Sequence, residues 1–158
     1  SPVFLEIKKK YDGVVYKRRV STDFAQAMRF LTEGIPPESG DYVARQVTAE
    51  MTHMIRRDGL IPRAAVFYDR RAFHGADDPE LRLTLDGNIR YRLGDLDLRN
   101  GTDGDTIPGQ PFRIMEIKSA SSIPLWLAGT LSELGIHPGS FSKYGSVYKQ
   151  RFQDLCTT

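Results

Sequence analysis

Leu81, Leu83 and Leu85 alternate with Arg82, Thr84 and Asp86, the period of two that belongs to a half-buried β-strand. Such a strand must cover its leucines and present an arginine, a hydroxyl and a carboxylate together on its other face. Two further segments carry the same logic. Leu5-Glu6-Ile7-Lys8 and Met115-Glu116-Ile117-Lys118 each set an acid and a base two residues apart in an apolar run, so carboxylate and ammonium share a face. With 158 residues, 40% hydrophobic and 27% charged, the chain has the size and composition of one soluble domain with a real core, or of a large part of one.

Turn and cap signals order the rest. Strands are predicted over residues 3–10 and 14–20, joined by Tyr11-Asp12-Gly13. Ser21 or Thr22 is placed to cap a helix over about 23–33, stopped by Gly34, and a second helix spans about 41–57 before Asp58-Gly59. A strand at 62–71 follows, then the strand ending at Asp86. Asp86-Gly87 or Gly87-Asn88 is read as a turn into a partner strand near 88–93. The stretch 94–111, rich in Gly, Pro and Asp, reads as an exposed loop. A strand at 112–118, a helix at about 123–134 with Trp126 and its flanking leucines in a core, and a last helix at 145–155 complete the order. Antiparallel hairpins with interspersed helices argue for an α+β fold.

Net charge is +2, so no global field favours nucleic acid, and the aromatics do not interleave with the basic residues as a stacking platform would. The single Cys156 excludes an internal disulfide framework and permits a reducing compartment. No apolar run approaches the ~20 residues of a membrane span and no signal peptide is evident, so a cytoplasmic protein without membrane insertion is expected. His53, His74 and His137 have no partners at zinc-ligand spacing, and Cys156 is expected to be inert.

The strand faces hold the informative chemistry. Glu6, Lys8 and Lys10 align, as do Tyr16 and Arg18, Tyr68 and Arg70, Arg82 with Thr84 and Asp86, and Glu116 with Lys118. Lys9 alternates outward. A sheet with one solvated face would produce the same alternation with no further meaning. A face dominated by Arg and Lys with few acids repels itself, however, and suits a polyanion with its metal ion.

Taken together, Phe4-Leu5-Glu6-Ile7-Lys8-Lys9-Lys10, Val15-Tyr16-Lys17-Arg18-Arg19, Tyr68-Asp69-Arg70-Arg71-Ala72-Phe73, Leu81-Arg82-Leu83-Thr84-Leu85-Asp86, Met115-Glu116-Ile117-Lys118 and Phe141-Ser142-Lys143-Tyr144 resemble the VTC domain. This is the polyphosphate polymerase domain of the vacuolar transporter chaperone complex, in the CYTH-like triphosphate tunnel metalloenzyme superfamily. The resemblance spans nearly the whole chain, 1–158, as a single domain. It implies an antiparallel β-barrel tunnel with flanking helices, ATP and inorganic polyphosphate as partners, and Mn²⁺ or Mg²⁺ as cofactor. It further implies that Lys8, and Lys17 or Arg18, are tunnel cations. Lys8, Arg70, Arg82 and Lys118 would be the catalytic residues, Lys17 or Arg18 and Tyr68 would bind phosphate, Glu116 would hold the metal, and Ser142 and Lys143 would contact phosphate at the tunnel mouth.

The family begins with further strands before the segment matching residues 3–10, so an incomplete tunnel of roughly six strands is expected. The leading functional expectation is transfer of the ATP γ-phosphate onto a growing polyphosphate chain. The alternatives are hydrolysis of inorganic triphosphate, or polyanion binding without catalysis.

Overall fold

The computed structural model describes residues 2–12, 14–107, 109 and 112–156, with the side chains of Lys10 and of residues 151–156 outside the description. The chain forms two compact units, Ser1–Pro62 and Arg63–Thr158.

In the first unit β1 (Val3–Tyr11) and β2 (Val14–Thr22) form an antiparallel hairpin. The register closes Tyr11 on Val14, with Asp12 in the connection. Asp12 takes φ 46°, the left-handed backbone that a two-residue hairpin loop demands, and Gly13 lies outside the described residues. Helices α1 (Phe24–Glu33) and α2 (Tyr42–Asp58) follow. The cap of α1 is Asp23, whose side chain accepts from the Gln26 amide, rather than the expected Ser21 or Thr22; Thr22 instead donates to the Gln26 side chain. A carboxylate is the better acceptor at a helix N-terminus, where the dipole adds to the hydrogen bond. Asp41 caps α2 in the same manner, and Gly34 and Gly59 end the two helices with positive φ.

Apolar residues of one hairpin face, Leu5, Ile7 and Val20, pack with Ala27 and Phe30 of α1 and Val47 and Met51 of α2. Lys9 and Arg18 share that hairpin face, and both ion-pair with Glu50 of α2. The expectation that Lys9 points outward is therefore corrected: it does alternate away from Lys8, but toward an acid on α2.

The second unit is a four-stranded antiparallel sheet with two helices. β3 (Ala65–His74) and β6 (Ile114–Lys118) flank the long β4 (Arg82–Arg92), while the short β5 (Asp105–Thr106) pairs with Arg90 and Tyr91 of β4. The turn expected at Gly87-Asn88 is a β-bulge inside one continuous strand. The β3–β4 register shifts between Phe67 and Asp69, and Asn88 takes φ 51°. A Gly-Asn pair supplies positive φ equally to a turn and to a bulge, so local chemistry alone does not separate them.

Past the bulge, Ile89 and Tyr91 are buried with Ile107 and with Val147 of α4 (Lys143–Cys156). The side chain of Cys156 lies outside the described residues. In α3 (Leu125–Glu133) only Leu127 is buried, whereas Leu125 and Trp126 are 90% and 66% exposed. The expected Trp126 core is thus corrected: residues 125–129, apolar or glycine throughout, have no polar face to reveal which side is covered.

The architecture is mixed α+β with four helices and two antiparallel sheets, and neither sheet is closed into a barrel among the described residues.

Candidate functional site

β4 organises the site because it is the middle strand. Its register pairs Arg82 with His74 and Lys118, Thr84 with Ala72 and Glu116, and Asp86 with Arg70 and Ile114. Residues directly opposite in an antiparallel ladder project to the same side. Arg70, Arg82, Thr84, Asp86, Glu116 and Lys118 therefore stand on one face of one sheet.

The centre of this face is Asp86, only 2% exposed. Arg70 donates to it through a fork, Nε to Oδ1 at 2.6 Å and Nη2 to Oδ2 at 2.8 Å. Lys143 Nζ donates to Oδ2 at 2.6 Å. The Arg70 guanidinium, with help from Lys143 and against the cost of burial, holds the Asp86 carboxyl below the usual carboxylate range. In return the guanidinium of Arg70 is held above its ordinary value. Tyr68 faces both cations: Arg70 Cζ lies 5.2 Å and Lys143 Nζ 4.3 Å from its ring centroid, within range of cation–π attraction.

Lys143 reaches this point because it opens α4. Ser142 caps that helix, its hydroxyl oxygen accepting from the Gly145 amide at 3.0 Å while its carbonyl accepts from Ser146. The cap leaves the Ser142 hydroxyl proton available to donate to an anion.

The remaining members are more open. Glu116 Oε1 is 3.1 Å from Lys118 Nζ, both side chains at least half exposed, and Arg82 Nη2 approaches Glu80 at 3.9 Å. The hydroxyl of Thr84 is buried and has no hydrogen-bond partner among the described residues. Among the described residues, four cations thus share the face with two carboxylates, and one of these, Asp86, has both oxygens engaged.

In the first unit the register pairs Lys8 with Lys17 and Ile7 with Arg18. Lys8 and Lys17 therefore share the exposed face of the hairpin, where Lys17 Nζ lies 2.8 Å from Glu6, and Lys8 has no ion-pair partner among the described residues. Arg18 stands on the opposite face with Glu50.

Sequence reasoning aligned Asp86 and Thr84 with Arg82 but assigned neither a part in the site. The signal was present in the Arg-x-Thr-x-Asp alternation; what was missing was the knowledge that Asp86 would meet two cations from other elements.

An open sheet face with clustered, partly exposed Arg and Lys around a buried acid offers the donors that a polyanion would need. The chain belongs to the VTC domain family, whose model matches residues 1–152. That membership connects it with polyphosphate-related function, the family being associated with polyphosphate polymerase. No curated protein matches the chain. No helix among the described residues is long and apolar enough to cross a membrane.

Proposed function

We propose that the chain is a polyphosphate polymerase domain that transfers the γ-phosphate of ATP onto a growing inorganic polyphosphate chain. The observation that carries this reading is the gathering of Arg70, Arg82, Lys118 and Lys143 with Glu116 on a single sheet face. Phosphoryl transfer asks a protein for in-line positioning and charge neutralisation more than for covalent chemistry. Arginine forks and a mobile ammonium provide both. In this reading the face is one wall of an antiparallel β-barrel tunnel. Arg70, Arg82 and Lys118 hold phosphoryl oxygens and Tyr68, Ser142 and Lys143 contact the chain of phosphates, while Lys8 and Lys17 are the phosphate-binding cations of the first unit.

A divalent cation fits Glu116. It is the carboxylate of the face left outside the buried cluster, half exposed and a hard oxygen donor suited to Mn²⁺ or Mg²⁺. Among the described residues no group of three or more His, Cys, Asp or Glu side chains gathers, so Glu116 would share such an ion with phosphate oxygens and water. When bound, the ion would neutralise charge on the phosphates.

The test is incubation of the chain with γ-labelled ATP and Mn²⁺, with products resolved by length. A ladder of acid-labile polymer supports the polymerase. Release of orthophosphate alone would instead mark a triphosphatase, and binding of polyphosphate without turnover a non-catalytic module. Binding should weaken with salt, because exposed charges are screened over about 8–10 Å.

A further inference from the structure

Asp86 is the least expected member of the cationic face. A site for polyanions gains nothing in net attraction from a buried carboxylate, and burying one is costly unless it is paired. Here it is fully engaged. Both oxygens accept from Arg70, and one also accepts from Lys143, which comes from an element 57 residues away in sequence. The fork fixes the plane of the Arg70 guanidinium and leaves Nη1 outside the pair. One hydrogen bond leaves two of the three Lys143 ammonium protons uncommitted to Asp86. Arg70 and Lys143 keep 41% and 23% of their side-chain surface, and both lie against the Tyr68 ring. Two cations that would otherwise repel are thus held side by side, each with part of its donor set still accessible.

We propose that Asp86 is a positioning residue for anion binding. By gripping the inner edge of Arg70 and the ammonium of Lys143 it holds their remaining donors side by side for an anion, without itself touching the substrate. The inference rests on the polyphosphate reading of the face and adds to it a residue whose own charge opposes the ligand's.

That opposition makes the test sharp. Asp86→Asn removes a negative charge from an anion site. If the carboxylate acts only through the local field, binding must tighten; if it acts by holding Arg70 and Lys143, binding must weaken. Affinity of the full chain for inorganic tripolyphosphate is measured by calorimetry, below the melting temperature of each variant and with circular dichroism confirming the fold. The expected result is about tenfold weaker binding, the effect of losing one charge-assisted contact.

Asp86→Glu keeps the charge and moves the carboxylate by one methylene, so it tests position without electrostatics and serves where the Asn variant does not fold. It too should weaken binding, by about three- to tenfold. Wild-type affinity or tighter in either folded variant overturns the positioning role while leaving the polyphosphate reading intact. Absence of tripolyphosphate binding by the wild-type chain overturns that reading and this inference with it.

Discussion

Arg70 and Asp86 face one another directly across the β3–β4 ladder and are joined by a two-bond fork of 2.6 and 2.8 Å. The ladder fixes their Cα separation and the fork fixes their side chains, so the pair is rigid where most surface ion pairs are not. It links the stability of the second unit to the geometry of the face, because the same two groups serve both.

One consequence is in acid. Asp86 is held below its ordinary carboxylate range by Arg70 and then Lys143, and Glu50 by Lys9 and then Arg18. Asp97 is lowered to about 2, chiefly by the Arg99 side chain. A depressed folded-state pKa contributes stability that is present above the unfolded value and is lost as pH falls through the folded one. Melting temperature should therefore be flat across neutral pH and decline from about pH 4 downward. Asp86→Asn should start lower and decline less steeply. A wild-type profile that is flat down to pH 2 would contradict the engaged state of these carboxylates.

The bulge at Asn88 gives a second expectation. Asn88 holds φ 51°, a conformation that costs a β-branched residue about 1–2 kcal/mol. Asn88→Val should lower the urea-unfolding free energy by about that amount, with some further loss because the Asn88 amide donates to Asp69 at 2.8 Å. Asn88→Gly should cost about 1 kcal/mol or less, the loss of the exposed Asp69 bond alone, since glycine accepts positive φ freely.

Lys17 and Arg18 adjoin in sequence but should respond oppositely. Arg18→Ala removes a partner of Glu50 and should lower stability by up to about 1 kcal/mol while leaving tripolyphosphate affinity unchanged. Lys17→Ala, on the face shared with Lys8, should leave unfolding within about 0.5 kcal/mol of wild type and weaken binding. Calorimetry and denaturant melts on the two variants decide which of the alternatives is the phosphate-binding cation.

Glu116→Gln keeps the shape of the side chain and removes the charge suited to a hard cation. Mn²⁺-dependent phosphoryl transfer should fall by about two orders of magnitude or more, with tripolyphosphate binding retained or slightly tighter. Because the Glu116–Lys118 pair is exposed, the melting temperature should hardly change. A variant with full turnover would remove Glu116 from the metal-binding role.

What could be read from the chain alone is what backbone periodicity and turn chemistry encode within a few residues. Alternation along Leu81–Asp86 and Met115–Lys118 was enough to place Arg82 with Asp86, and Glu116 with Lys118, on common faces, because successive side chains of a strand must point to opposite sides. Gly34 and Gly59 marked the ends of α1 and α2 because only a residue at ease with positive φ ends a helix that way. Tertiary structure decided everything that depends on which segment lies alongside which. Alternation put Lys17 and Arg18 on opposite faces, but only the β1–β2 register decided that Lys17 shares the face of Lys8, and the packing of α2 drew Lys9 to Glu50. The sheet joined the two strands expected on either side of Gly87-Asn88 into one, and α3 turned Trp126 to solvent. Above all, α4 carried Lys143 to Asp86. A carboxylate's sequence neighbours specify its face, but only the folded chain brings the distant cations that make its burial tolerable.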